Sequence, residues 1–301
     1  MFDVIIIGGG PSGMSAALNT LRAGRSTLII EKESFGGQIA SSPRVENFPT
    51  IKEISGLELS SRLLEQITNL GVEFELGEVV GIEKNDNIFK IKTLDNEFDA
   101  RSVIIASGLK HKSLNLESEK RLEGKGVSYC AVCDGAFYKN EDVIVIGDAN
   151  TALQYALLLS SYCHKVYLCA LFDKLFADQI LIERAKKKEN IEIIFNISTK
   201  EFIGEKELSS VKFINTKTNE ELIIKAKAAF IAIGQKPNNE IFKNLVDLDN
   251  RGFILVNDKM ETKTKGLYAV GDCIKKDFYQ LITGMSEAAI AAINVSRYLD
   301  D

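Results

Sequence analysis

The stretch Gly8-Gly9-Gly10-Pro11-Ser12-Gly13 decides the fold of this chain, because it lies between a strand pattern and a helix pattern. The run before it, Val4–Ile7, is apolar and rich in β-branched residues, as in a buried parallel strand. A helix is predicted over about 12–22, and the next apolar strand, Ser26–Ile30, ends at Glu31. A glycine turn in this context, with an acid closing the following strand, is the fingerprint of a dinucleotide-binding βαβ unit.

Five residues of this turn, and the acid after the next strand, have predicted tasks in holding a dinucleotide. Gly8 permits the tight turn, Gly10 lets the backbone approach the pyrophosphate, and Gly13 allows the helix to pack closely on the strand. The first helical residues, Pro11 and Ser12, stand where helix N-terminal amides bind the diphosphate. Glu31 is predicted to accept hydrogen bonds from ribose hydroxyls.

The same plan recurs in the second half of the chain. Val143–Ile146 reads as a strand, and it leads through Gly147-Asp148-Ala149-Asn150 into a helix predicted over 151–161. Each half also contains an apolar strand that closes on a glycine, at Gly108 and at Gly234. This repetition predicts two nucleotide-binding-type domains.

The C-terminal tail does not fit the second unit. Gly266–Asp272 is a strand that runs into Gly-Asp, and 286–299 is an alanine-rich helix pattern. We therefore predict an α/β fold of two three-layer, Rossmann-like domains, of which the first is discontinuous. Residues 1–112 and 242–301 form the first domain, and residues 113–241 form an inserted second domain.

Composition restricts the function classes. The chain has 301 residues, 45% of them hydrophobic and 26% charged, with a net charge of -5, which is typical of a globular protein and unlike disorder. The mild acidity argues against a nucleic-acid partner. No run is long and apolar enough to span a bilayer, and the N-terminus lacks a basic region before its first strand. Five cysteines without a secretion signal favour a reducing cytoplasm over a disulfide framework.

A Cys-x-x-Cys motif, Cys130 to Cys133, precedes the second fingerprint and has two interpretations: a redox disulfide or half of a zinc site. Zinc usually needs a second ligand pair, and the only histidines, His111 and His164, are far apart in sequence. The redox interpretation is favoured, and no metal site is predicted. Asp134 is either a proton donor to a leaving thiolate or a turn residue.

Six motifs occur in order along the chain: Gly8/Gly10/Gly13, Gly36-Gly37-Gln38, Val45-Glu46-Asn47-Phe48-Pro49, Cys130-Ala131-Val132-Cys133-Asp134-Gly135, Gly234-Gln235-Lys236-Pro237-Asn238 and Gly271-Asp272. Together they resemble the low-molecular-weight thioredoxin reductases over essentially the whole chain.

This resemblance implies a homodimer that binds FAD with the N- and C-terminal parts of each chain. It implies that Cys133 faces the flavin, that Cys130 attacks thioredoxin, and that the middle domain rotates between these two tasks. Beyond the first fingerprint, the cofactor-binding residues that it implies are Gly37, Gln38, Asn47, Gly108, Gly271, Asp272, Gln280 and Leu281.

The family pattern fails where NADPH should bind. Asp148 and Ala149 stand in two glycine places of the second turn, and Asp148 puts a carboxylate where a diphosphate should lie. The arginine places after the next strand hold Leu171, Phe172 and Phe176. Arginine is suited to gripping phosphate, so these changes remove anion-binding capacity. Sequence drift that leaves weak NADPH binding would produce the same changes, and Asp148 could simply cap the helix that follows.

The sequence therefore predicts a ferredoxin-dependent flavin thioredoxin reductase, in which ferredoxin passes single electrons to FAD. Lys110, Lys112, Lys275 and Lys276 are candidate docking lysines for that acidic donor. Three alternatives remain open: an NADPH-dependent thioredoxin reductase with an atypical site, a flavin redox sensor without turnover, and a reductase in which a second flavin replaces nicotinamide.

Overall fold

The computed structural model describes residues 1–301. The strands are β1 (Phe2–Ile7), β2 (Thr27–Glu31), β3 (Glu73–Leu76), β4 (Val79–Asn85), β5 (Ile88–Thr93), β6 (Glu97–Ile105), β7 (Leu109–His111), β8 (Val127–Ser128), β9 (Asp142–Ile146), β10 (Lys165–Cys169), β11 (Ile191–Ile194), β12 (Ile197–Ile203), β13 (Ser210–Asn215), β14 (Glu221–Lys225), β15 (Ala228–Ile231), β16 (Gln235–Pro237) and β17 (Leu267–Ala269). The α-helices are α1 (Pro11–Arg22), α2 (Gly56–Thr68), α3 (Glu117–Leu122), α4 (Ala131–Asp134), α5 (Asn150–Leu159), α6 (Gln179–Lys186) and α7 (Leu281–Asp300). Short 3-10 segments cover Gly37–Ser41, Gly135–Tyr138, Glu240–Phe242 and Gly271–Cys273.

The chain divides into two compact units. Unit 1 contains Met1–Ala40, Arg44–Lys110 and Lys236–Asp301, and unit 2 contains Ser41–Pro43 and His111–Gln235. The predicted boundaries, 112/113 and 241/242, differ from these crossings by a few residues.

Unit 1 is built on a seven-stranded sheet in the order β3-β2-β1-β6-β5-β4, with β17 also paired to β6. Strand β6 has both parallel and antiparallel partners. Its second half runs parallel to β1 and β17, whereas its first half pairs antiparallel with β5. The parallel strands therefore end at one edge, and their carboxyl-terminal turns meet there.

The sheet of unit 1 has apolar residues on both faces, as a parallel sheet should. One face packs on α1, α2 and α7 through residues such as Met14, Ile67 and Ala291. On the opposite face, the antiparallel β4–β5 end of the same sheet and the 242–260 segment enclose a second core, in which Phe89 and Phe242 are fully buried.

Unit 2 is built on a parallel sheet in the order β11-β10-β9-β15-β8. Alternate residues of β9 point to opposite cores: Val143 and Val145 face α5 and α6, while Ile144 and Ile146 face the other side. That other side is covered by a three-stranded antiparallel sheet, β12-β13-β14. Its buried Phe202 and Phe213 complete the second core. Each unit thus has three layers.

The predicted fold class, two three-layer Rossmann-like units in an α/β protein, is confirmed. The last helix is longer than predicted, since it begins at Leu281 rather than 286. None of the helices combines the length and apolar character that a bilayer-spanning segment needs. No cluster of three or more His, Cys, Asp or Glu side chains is arranged to hold a metal ion.

Candidate functional site

The first glycine turn lies between β1 and α1 and leaves space for a ligand close to the backbone. Gly8 has φ +113°, and a Cβ there would approach the Ala106 carbonyl oxygen to 2.3 Å. A Cβ on Gly13 would approach the Gly8 carbonyl oxygen to 1.9 Å, so α1 packs directly against the turn. A Cβ on Gly37 would lie 3.1 Å from the Cα of Gly10. Glycine is therefore required at these positions for a close backbone approach.

Helix α1 begins at Pro11 without a side-chain cap. Its Ncap, Gly10, has extended backbone, and proline at the first helical position withdraws no needed donor. The first-turn amides and the positive end of the helix dipole consequently remain available to an anion.

Glu31 lies at the carboxyl end of β2 and is buried. One carboxylate oxygen accepts from the Gly9 amide at 2.6 Å, and the other accepts from the Glu33 amide at 2.9 Å. Each oxygen has a further lone pair, so the carboxylate can still accept from ribose hydroxyls.

The turn after β17 lies beside the start of α1. Gly271 has φ +77°, and a Cβ there would approach Ser12 Oγ to 2.6 Å. Gly284 of α7 would bring a Cβ within 2.5 Å of the same hydroxyl oxygen, so α7 also packs closely here. Burial raises the pKa of the Asp272 carboxyl, and nearby Lys276 partly opposes that rise.

The remaining predicted cofactor-binding residues also belong to unit 1. Gln38 Nε2 donates to the Leu109 carbonyl at 3.4 Å, and Gly108 has φ +61°. Asn47 Nδ2 donates to Gln280 Oε1 at 2.8 Å. Gln280 is the Ncap of α7, where it forms a capping box with Thr283, and Leu281 is the first residue of that helix.

These features fit FAD. The three close glycine approaches and the uncapped start of α1 suit a diphosphate, and Glu31 suits a ribose. Gly10, Glu31 and Gly271 come from widely separated parts of the sequence, and all belong to the same compact unit. The site therefore has the shape and the donor set for an adenine dinucleotide.

Unit 2 carries the redox centre on one short stretch. Cys130 and Cys133 form a disulfide at the start of α4, with their Cα atoms 5.4 Å apart. The Cys133 amide donates to Cys130 Sγ at 3.1 Å. Cys130 is half-buried, whereas Cys133 is exposed.

Asp134 is held beside this disulfide by a serine that sequence analysis missed. Ser128 Oγ donates to Asp134 Oδ2 at 2.6 Å and accepts from the Cys130 amide at 3.0 Å. The hydroxyl thus joins the candidate proton donor to the backbone of the first cysteine. A serine two residues before a cysteine is not a distinctive signal, so the sequence alone could not find it.

A second buried network holds Tyr129, the residue before Cys130. Tyr129 OH donates to Glu119 Oε1 at 2.6 Å, and Glu119 is fully buried. Burial raises the pKa of the Glu119 carboxyl, but the hydrogen bonds from Tyr129, Ser113 and two backbone amides outweigh it and lower the pKa. The ring of Tyr129 also stacks on His111, with ring centroids 5.7 Å apart.

The second glycine turn keeps its first glycine and follows it with an acid, Asp148. Gly147 has φ +151°, and a Cβ there would approach the Ala232 carbonyl oxygen to 2.2 Å. Asp148 is half-buried, and this burial raises the pKa of its carboxyl with no cation to oppose it. Helix α5 has Ala149 as its Ncap and no side-chain cap. The interpretation of Asp148 as a cap of this helix is therefore wrong.

Residues 171–176, called the apolar segment below because four of the six are Leu or Phe, lie against the second turn. The Phe176 amide donates to the Asp148 carbonyl at 2.7 Å, which fixes position 176 next to the turn. Phe172 and Phe176 pack edge to face, with ring centroids 5.5 Å apart, and both are about half exposed. Lys174 Nζ lies 4.9 Å from the Phe176 ring centroid. The segment thus offers exposed aromatic rings and one lysine. It has no arginine, whose guanidinium could bind a phosphate through paired hydrogen bonds.

Of the four candidate docking lysines, one proves to be internal. The Lys276 side chain is only 11% exposed and is paired with two carboxylates, so its predicted role as a surface contact is wrong. Lys275, next to it, is exposed. Gly284 was missed as a position of close packing because it lies ahead of the helix predicted over 286–299, and it belongs to the helix only because α7 begins at Leu281.

A dinucleotide cradle in one unit and a redox disulfide in the other define a nucleotide-dependent disulfide oxidoreductase. Comparisons with known proteins agree. A family model described as pyridine nucleotide-disulphide oxidoreductase matches residues 2–293. The thioredoxin reductase of Bacillus subtilis (strain 168) is 39% identical over 302 residues, covering 100% of this chain and 96% of that protein.

Two solved structures extend this comparison. Lactococcus lactis thioredoxin reductase matches with a TM-score of 0.95 and 39% identity, covering 100% of this chain and 99% of that one. A ferredoxin-flavin thioredoxin reductase from Clostridium acetobutylicum matches with a TM-score of 0.55 and 27% identity, covering 99% and 97%.

The chain belongs to the pyridine nucleotide-disulphide oxidoreductase family, a family of FAD-binding proteins, and within it to the low-molecular-weight thioredoxin reductases. The predicted ferredoxin-dependent subtype is not supported. The chain is more similar to proteins named simply thioredoxin reductase than to the ferredoxin-flavin enzyme.

Proposed function

We propose that this chain is an FAD-dependent reductase that transfers electrons to the disulfide of thioredoxin through Cys130 and Cys133. The observation that carries the proposal is the Cys130–Cys133 disulfide, with Asp134 held beside it by Ser128. The relatives named thioredoxin reductase support thioredoxin as the substrate.

The dithiol form of the motif performs the exchange. The Cys130 thiolate attacks one sulfur of the thioredoxin disulfide, which breaks that bond and releases the other sulfur as a thiolate. The Cys133 thiolate then attacks Cys130 Sγ, which closes the enzyme disulfide and releases reduced thioredoxin. The protons that the enzyme dithiol loses go to the two released thioredoxin thiolates, and Asp134 can take such a proton from an enzyme thiol and pass it to a leaving thiolate, since Ser128 keeps its carboxylate beside the motif.

The residues of unit 1 bind and orient the cofactor. The α1 amides and the glycine turn would hold the diphosphate and Glu31 would hold a ribose, while Gly271 and Asp272 would contact the cofactor as the resemblance to thioredoxin reductases implies. FAD, when bound, supplies the two-electron store that returns the Cys130–Cys133 disulfide to the dithiol.

A reduced pyridine nucleotide is the first candidate for the electron donor. Its support is the family description, together with the higher similarity to ordinary thioredoxin reductases. On this proposal the second turn tolerates a nucleotide in spite of Asp148 and the apolar segment.

Ferredoxin is the second candidate, and the local chemistry of the second turn favours it. Asp148 is an uncompensated acid, and the apolar segment offers Lys174 alone as a cation close to the turn. The energetics permit it: plant-type ferredoxins lie near about -400 mV and thioredoxin near about -270 mV. That difference is about 130 mV, or about 6 kcal/mol for two electrons.

Anaerobic stopped-flow with each donor alone decides between them. The oxidised protein is mixed with NADPH, NADH or reduced ferredoxin, and the loss of flavin absorbance is followed. Rapid reduction by a pyridine nucleotide establishes the first candidate, and reduction by ferredoxin alone establishes the second. Thioredoxin reduction is then measured with the active donor. Flavin reduction without thioredoxin turnover would overturn the reductase proposal and indicate a redox sensor.

We also propose that the chain acts as a homodimer in the cytoplasm. The resemblance to thioredoxin reductases supports both statements. The three further cysteines, Cys163, Cys169 and Cys273, are buried free thiols, which suits a reducing compartment. Sedimentation equilibrium of the flavin-loaded protein measures its mass, and a monomeric mass would contradict the dimer.

A further inference from the structure

Lys276 is a lysine enclosed at the cofactor cradle of unit 1. Its side chain is 11% exposed. Its ammonium lies 2.9 Å from Glu287 Oε2 and 3.5 Å from Asp272 Oδ1. The aromatic ring of Tyr279 lies beside it, with the ammonium 5.4 Å from the ring centroid. A lysine is rarely enclosed in this way unless it is paired.

Glu287 fixes the lysine to the backbone of the turn. The same carboxylate oxygen that binds Lys276 also accepts the Gly271 amide at 3.0 Å. Glu287 lies on α7, so it connects that helix to the turn after β17. The ammonium is therefore held on one side by Glu287 and faces Asp272 on the other.

The negative charge of Asp272 would repel an anionic cofactor, and Lys276 offsets that charge. Gly271, its neighbour, comes so close to Ser12 of α1 that a Cβ would collide with the hydroxyl. The Asp272 carboxylate thus belongs to the turn that faces the start of α1, the part of the cradle suited to a diphosphate. Two like charges in a partly desolvated site repel strongly unless a cation lies between or beside them.

The second glycine turn also contains an acid, Asp148, but no lysine offsets its charge. Asp148 also lies at the carboxyl end of a parallel strand and beside the start of a helix, α5. Burial raises the pKa of its carboxyl, and only its own backbone amide opposes that rise, with no cation comparable to Lys276. The chain therefore contains one acid with a cation beside it, Asp272 in the turn after β17, and one acid without such a cation, Asp148 in the second glycine turn.

We propose that Lys276 is a positioning residue for FAD: it orients Asp272 and offsets its negative charge, which makes the turn after β17 compatible with an anionic dinucleotide. The proposal rests on the assignment of FAD to unit 1. The proposal also distinguishes the turn after β17 from the second glycine turn, because Asp148 has no such cation beside it.

Binding of FAD to the apoprotein tests this directly, with no turnover required. Apoprotein is prepared by removing the flavin, and FAD is titrated while its fluorescence is followed. K276M is expected to raise the Kd for FAD about tenfold, whereas K275M, which removes the exposed neighbouring lysine, is expected to bind FAD as the parent does. K276R keeps the charge and is expected to stay within about threefold of the parent.

A double variant separates charge from simple damage. If Lys276 acts by offsetting Asp272, the K276M/D272N protein should bind FAD more tightly than K276M. Equal FAD affinity of K276M and the parent would overturn the proposal, as would a double variant that binds no better than K276M. Should K276M not fold, K276R and K276Q give the same comparison of charged and neutral side chains. Failure of the parent itself to bind FAD would instead overturn the assignment of the cofactor.

Discussion

Replacement of Ser128 by alanine should slow the exchange with thioredoxin by about tenfold. The Ser128 hydroxyl donates to the Asp134 carboxylate and accepts from the Cys130 amide, so its loss frees both groups of the redox centre. A hydrogen bond to a charged group contributes about 1.5–3 kcal/mol. Since Asp134 is half-buried, water replaces part of this bond, and we take the lower value of about 1.5 kcal/mol. A barrier change of about 1.4 kcal/mol is tenfold in rate.

Single-turnover exchange measures this effect without the electron donor. The enzyme is first reduced chemically, freed of reductant, and mixed with oxidised thioredoxin, and the reaction is stopped by alkylation at set times. S209A is the matched control, because Ser209 lies in the same unit but bonds only to the backbone of its own surface turn. We expect S209A to react at the parent rate.

A double variant shows whether Ser128 acts through the proton donor. If it does, S128A/D134N should be no slower than D134N, because the group that Ser128 positions is already lost. Losses that multiply in the double variant, or an S128A rate within twofold of the parent, would refute the reasoning.

Three further predictions concern the cofactor, the disulfide and the buried carboxylate. G10D should purify without flavin, because a side chain would occupy the approach of the pyrophosphate, and full yellow colour would contradict the assignment. C133S should block electron flow from flavin to the disulfide, whereas C130S should lose thioredoxin reduction; a parent rate in either variant excludes the dithiol mechanism. Y129F should lower the free energy of unfolding by about 1.5–3 kcal/mol at neutral pH, because it removes a donor from the buried Glu119 carboxylate. The pKa of Glu119 is lowered in the fold, so this contribution is present above the unfolded pKa and is lost as pH falls through the folded pKa. Urea unfolding with saturating FAD at neutral and acid pH measures it, and a difference between Y129F and the parent that persists undiminished in acid would exclude the carboxylate as its origin.

The parallel strands and the glycine turns can be predicted from the sequence because their signals are local. The runs at Val4–Ile7 and Val143–Ile146 are continuous and apolar, and each is followed by a glycine whose positive φ the turn requires. The antiparallel sheet β12-β13-β14 cannot be predicted in this way. Its strands mix charged and apolar residues without a clear alternation of hydrophobic and polar positions. Its place in the fold depends on Phe202 and Phe213, whose burial against the parallel sheet is a tertiary effect.

The site is predictable where a motif carries it and hidden where distant side chains meet. The Cys-x-x-Cys motif is visible in the sequence, but Ser128 is recognised only by its two hydrogen bonds. Lys276 resembles surface charge beside Lys275, since sequence does not reveal that α7 brings Glu287 against it. The start of α7 is also hidden, because the Gln280–Thr283 capping box lies ahead of the alanine-rich run.

Nearly all of the redox unit is one segment of the chain, His111–Gln235, and this has a practical consequence. Lys112 and Gly234, near the two ends of the His111–Gln235 segment, are joined by a backbone hydrogen bond of 3.0 Å. A segment whose ends lie side by side can be gained or lost as a cassette without stretching the chain on either side. Replacing that segment by a short glycine-rich bridge should therefore give a smaller flavoprotein that takes up FAD but has no thiol chemistry.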